Sequence, residues 1–135
     1  MTESEQPPIS GVVEVRVPAE VTFVATLRLV AASLAARCEL TVDDIEDLRL
    51  AVDEACALLL PLATAGTSLE ARFALAPAAL SVTAVVATDR PEAQFDRTGF
   101  AWTVLTALVT DVVVDAAAEH TAITVTKRRE AAAGE

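Results

Sequence analysis

The stretch TVDDIEDLRLAVDEACALLLPLA, Thr41–Ala63, decides how this chain folds. Ile45, Leu48, Val52, Ala55, Leu59 and Leu62 recur at spacings of three and four, which makes one apolar helical stripe. Thr41 suits an N-cap, and Asp43, Asp44, Glu46 and Asp47 load the first turns with the charge that a helix N-terminus favours. A second stripe runs beside the first: Asp47, Ala51, Glu54, Leu58. Glu54 stands one turn from a leucine on a helix that is otherwise apolar from Ala55 onward. A lone acid there costs free energy unless it is exposed or paired. Pro61 is expected to kink or close the helix.

Outward from this helix, the pattern changes on both sides. Upstream, Val13, Val15 and Val17 alternate with Glu14 and Arg16, a half-buried strand ended by Pro18. Glu20–Arg37 follows as a helix, with Val24, Leu27, Val30, Ala31 and Leu34 inward. Downstream, residues 69–76 and 79–87 alternate as two strands around Pro77-Ala78, an antiparallel hairpin. Thr88–Thr98 is a polar loop. Phe100–Thr110 is apolar nearly all round, so a buried helix is expected, with Trp102, Leu105 and Val109 in the core. Strands at 111–115 and 121–127 form a second hairpin. The order β-α-α-β-β-α-β-β implies an α/β sandwich, a mixed and mostly antiparallel sheet with helices on one face. The first strand must find a sheet edge. Residues 1–10 are expected to be a disordered lead, 11–129 one domain and 130–135 a tail.

The 135 residues suffice for one domain with a core. A net charge of −10 argues against nucleic acid or an anionic membrane as partner, since both need basic surface. It is compatible with a basic protein partner. The N-terminal MTESEQPPIS has no apolar segment, and no uninterrupted apolar stretch of about 20 residues occurs, so a cytoplasmic location is expected. Cys38, Cys56 and a single His120 supply no zinc set, and no metal site is expected. The two cysteines are most simply buried free thiols, a redox pair being the alternative.

Each candidate residue has a plain reading beside the functional one. Glu54 suits a general base, or a solvated acid. It is no dyad with Asp53, since helix neighbours point about 100° apart. Asp89, after a strand, suits an adenine amino group, and Gly99 a phosphate contact. With no G-x-G present, an ordinary capped loop is the competing account. Lys127-Arg128-Arg129 reads as a solvated strand end, and His120 as a turn residue without a role.

The run Asp47-Leu48-Arg49-Leu50-Ala51-Val52-Asp53-Glu54-Ala55-Cys56-Ala57-Leu58 resembles the D-L-x-x-A-V-x-E-A-x-T-N helix of the anti-sigma-factor serine kinases of the RsbW and SpoIIAB type. These are small members of the GHKL, or Bergerat-fold, ATPase superfamily. The segment Thr98–Val112 and the terminal ITVTKR are similar to that family's lid-to-helix segment and last strand, most of all in its actinobacterial UsfX-like subgroup. The resemblance covers roughly residues 12–129. It implies a homodimer that sequesters an alternative sigma factor of the stress or development type and is antagonised by a STAS-type anti-anti-sigma protein. It implies a general base at Glu54, nucleotide contacts at Asp89 and Gly99, and a sigma and anti-anti-sigma contact at Arg28, for which a solvated helix charge is the alternative.

The departures from that family pattern weigh heavily. The magnesium-binding Asn is Leu58, which offers no oxygen ligand. Asp89 is followed by Arg90-Pro91 instead of the glycine pattern, and the second lid glycine is Ala101. A degenerate site is therefore expected, with Glu54 vestigial, no cofactor required and kinase activity lost. ATP and magnesium enter only if the site still works, as in the alternative reading of an active serine protein kinase. The remaining alternative is a scaffold with no sigma partner.

Overall fold

The computed structural model describes residues 10–90 and 97–129. The expected lead and tail lie outside these residues, apart from Ser10. The elements are β1 (Gly11–Pro18), α1 (Val24–Arg37), α2 (Val42–Leu59), β2 (Ser68–Ala76), β3 (Ala79–Ala87), α3 (Phe100–Leu108), β4 (Asp111–Ala116) and β5 (His120–Arg128). The order is the one expected from the sequence. Short 3-10 turns precede α1 at Val21–Phe23 and follow α2 at Leu60–Leu62, where Pro61 ends the regular helix.

The strands form one sheet in the order β1-β2-β3-β5-β4, antiparallel at every pairing. Alternation assigns its two faces. Val17, Leu69, Ala71, Phe73, Leu80, Val82, Ala84, Val86, Ile123 and Val125 turn inward and are buried against α1 and α2. The opposite face is polar. Ser81 and Thr83 meet Thr126 and Thr124 at 2.8 Å, while Arg16–Glu70 (3.3 Å) and Arg72–Glu14 (3.7 Å) form exposed ion pairs. The first strand lies at an edge, as the hairpin pattern requires.

Two local features set the helices. Thr41 Oγ1 accepts from the Asp44 N–H (3.1 Å) while the Thr41 N–H donates to Asp44 Oδ2 (3.2 Å), a reciprocal capping box that starts α2. Removing a cap of this kind costs about 1 kcal/mol. α3 departs from expectation. Only Leu105 is fully buried in it, and Phe100 is 83% exposed. The threonines explain this: Thr103 and Thr106 mark an exposed face that the apolar count of the segment hides. Trp102 is half-buried and packs at the margin of the core.

Candidate functional site

α2 carries most of the candidate chemistry. Glu54 and Leu58 are half-buried on one stripe, one turn apart. Leu58 packs against the core cluster. α3 lies antiparallel beside α2, because Lys127 joins the α2 N-terminal turns to the α3 C-terminus. Gly99, the N-cap of α3, therefore belongs to the same end of the helix pair as Leu58. Asp89 is exposed just beyond β3, and its neighbour Arg90 donates from Nη2 to Pro61 O at 2.6 Å. That bond ties the segment after β3 to the end of α2. Asp89, Gly99 and the Leu58 end of α2 thus share one end of the molecule; residues 91–96 lie outside the described ones.

Among the described residues at this end, no oxygen ligand for magnesium stands at the position one turn beyond Glu54. Magnesium needs oxygen ligands in near-octahedral geometry. The position one turn beyond Glu54 presents Leu58, a hydrocarbon engaged in core packing. Gly99 has φ −82° and ψ 174°, a backbone that any residue adopts, and its carbonyl is already taken by Thr103 N–H and Oγ1, both at 3.1 Å. Thr88 Oγ1 accepts from Arg90 N–H (3.0 Å), an ordinary local turn. Among the described residues no group of three or more His, Cys, Asp or Glu side chains is placed to hold a metal.

On the other flank of α2 the geometry is more developed. Arg28 Nε lies 3.2 Å from Asp53 Oδ1, joining α1 to α2. Neither atom has hydrogen-bond geometry, so the contact is Coulombic rather than directed. The pair is about one-third exposed (33% and 32%), which makes Arg28 neither fully solvated nor sealed in. It forms the wall of a cleft of ≈ 290 Å³ with Val21, Val24, Ala57 and Leu60. Val21, Ala57 and Leu60 continue into a second hollow with Ala19, Glu20 and Pro61. The groove is apolar around one ion pair, and Val21 on its rim is 77% exposed. Leu29 and Leu50 stand exposed on the same two helices. A shallow apolar surface with a central half-buried arginine suits a protein partner better than a small ligand.

The sequence reading missed Lys127. It is not solvated: its side chain is 7% exposed, and Nζ donates to Leu108 O (2.8 Å) and Asp47 Oδ2 (3.2 Å), with Asp44 Oδ1 at 4.0 Å. The signal was present, since Thr121, Ile123, Val125 and Lys127 fall on one face of an alternating strand. His120 opens β5 and is exposed. Cys38 and Cys56 are both buried and free. Burial, and then the Asp53 charge, push the Cys56 thiol up to about 12; burial also raises Cys38 against a backbone hydrogen bond at Ala76. Both thiols are therefore poor nucleophiles.

Comparison with known proteins agrees with this architecture. The profile of the histidine kinase-like ATPase domain matches residues 17–127. The serine-protein kinase RsbW of Bacillus velezensis is 48% identical over 44 residues, 33% of this chain and 28% of that protein. RsbW of Bacillus thuringiensis is 43% identical over a stretch of the same length. The match thus spans under a third of these curated relatives. Among solved structures, the RsbU and RsbW domains of Rv1364c from Mycobacterium tuberculosis superpose with a TM-score of 0.67 at 19% identity, over 87% of this chain and 32% of that one. At that identity the likeness concerns the fold.

Proposed function

The chain belongs to the histidine kinase-like ATPase domain family, with RsbW serine-protein kinases among the proteins similar to it, and on that premise we propose that it is an anti-sigma factor that acts by sequestration and not by phosphoryl transfer. It holds an alternative sigma factor, of the stress or development type, against the α1–α2 groove around Arg28. A STAS-type anti-anti-sigma protein competes for that surface and releases the sigma factor. The protein works as a cytoplasmic homodimer of the UsfX-like kind. The net charge of −10 supports this reading, because an acidic surface speeds encounter with a basic partner. No helix among the described residues is long and apolar enough to cross a membrane.

The observation that carries the loss of kinase chemistry is Leu58, packed against the core where the family pattern needs an oxygen ligand. Glu54 keeps its place, but a general base without an aligned phosphoryl donor has nothing to activate toward. Titration calorimetry with Mg-ATP is expected to give no heat of binding at micromolar concentration, and the Leu58→Asn variant tests the reason. Clear micromolar binding by the natural sequence would favour the active-kinase reading and defeat this one.

A further inference from the structure

The sheet ends at β4 with a free backbone edge. β4 is last in the strand order and pairs with β5. The Ala117 N–H donates to His120 O at 2.9 Å, in step with the β4–β5 register. Asp111, Val113 and Asp115 therefore turn their backbone N–H and C=O groups to β5. Val112, Val114 and Ala116 turn theirs outward, where no strand among the described residues takes them. Side chains alternate in the same frame. Val112 and Val114 face the helices and pack at the margin of the core. Asp111, Val113 and Asp115 face the open side and are exposed, Val113 by 52%. The β5 residues opposite the two carboxylates are Thr126 and Ala122, and among the described residues neither carboxylate has an ion pair. The edge thus offers unpaired backbone groups and two unneutralised charges, one on each side of an exposed valine.

We propose that β4 receives an extended segment of a protein partner as a sixth, antiparallel strand, and that this segment carries three apolar residues between two basic ones. Val112 and Val114 each exchange both backbone hydrogen bonds with the segment. The segment's second and fourth residues lie opposite Val114 and Val112 on the helix side, where apolar side chains lengthen the core. Its third residue covers Val113. Its first and fifth residues fall opposite Asp115 and Asp111 in non-hydrogen-bonded pairs, where side chains come closest, so Lys or Arg is selected at both. The net charge of −10 adds long-range attraction for such a segment. A second β4 is the wrong occupant, because pairing about Val113 opposes Asp111 with Asp115 on both sides of the axis. The charges that turn away a second β4 are the ones that admit a basic strand. The surface shares no residue with the α1–α2 groove, so its occupancy does not depend on Arg28.

The probe is the end-blocked peptide Ser-Lys-Val-Ile-Val-Lys-Ser, used with a fluorophore for anisotropy and without one for amide hydrogen exchange by NMR. At saturation it is expected to bind the full chain and to slow exchange at Val112 and Val114 at least about tenfold, while Val113, already bonded to β5, changes little. The peptide with Glu in place of both Lys is expected to bind at least about tenfold more weakly. Asp111→Lys combined with Asp115→Lys, both at exposed positions, is expected to reverse that preference. Methylating the amide nitrogens of both peptide valines removes the donors to β4 and should abolish binding. Methylating the central isoleucine, whose amide faces water, should not. No binding at peptide concentrations on the order of 1 mM would overturn the proposal. So would equal binding of the Lys and Glu peptides, binding that survives methylation of both valines, or binding without protection of Val112 and Val114.

Discussion

Replacing Lys127 with alanine is expected to lower the unfolding free energy by about 3 kcal/mol, the lower end of the range for breaking a buried ion pair. The lower end applies because Asp47 is 41% exposed and recovers water when its partner leaves. Asp44 does not: it is 3% exposed and keeps only its capping contact with the Thr41 N–H. Leu108 O, at the C-terminus of α3, loses its 2.8 Å donor. One ammonium thus satisfies the end of one helix and the carboxylates at the start of another. For a domain of this size the loss corresponds to a fall in melting temperature of roughly 10 °C. Arg128→Ala, one residue on and exposed, is the control and should change stability by less than about 0.5 kcal/mol. Equal effects from the two substitutions, in thermal or urea unfolding, would show that Lys127 does not clamp α2 to α3.

Arg28→Glu is expected to weaken partner binding about 100-fold, the scale of a central interface arginine. Its effect on folding should be small, because an ion pair one-third exposed contributes only about 0–1 kcal/mol. The introduced carboxylate would also face Asp53, so a slight loss of melting temperature accompanies the loss of binding. The swapped pair Arg28→Glu with Asp53→Arg separates the two roles. It restores attraction between α1 and α2 while leaving the groove charges exchanged. If binding stays lost in the swapped variant, Arg28 meets the partner directly. Binding regained in full would make the pair a strut between helices and remove Arg28 from the interface.

Much of the fold was legible in the sequence because each element has a local cause. The α2 stripe, the Thr41 cap, the alternation of β2 and β3 and the turn at Pro77-Ala78 each specify their own geometry, and the element order follows. What local pattern cannot supply is the neighbour. The extended apolar run of α3 suggested a helix buried all round, yet its threonine face is exposed and Phe100 with it. Lys127 looked like one of three solvated cations until the strand phase placed it inside, opposite acids 80 and 83 residues away in α2. Of the candidate site, Glu54 and Leu58 were visible as neighbours one turn apart on a single helical stripe. The Arg28–Asp53 contact was not, since it joins two helices whose relative placement depends on the whole core.

Capture by sequestration requires no nucleotide. It is tested most directly by passing native cytosol over the immobilised protein with and without Mg-ATP and identifying what is retained. A sigma factor is expected, held equally well in both conditions and lost from the Arg28→Glu variant. Retention that requires Mg-ATP, or the absence of any sigma factor from both eluates, would contradict it.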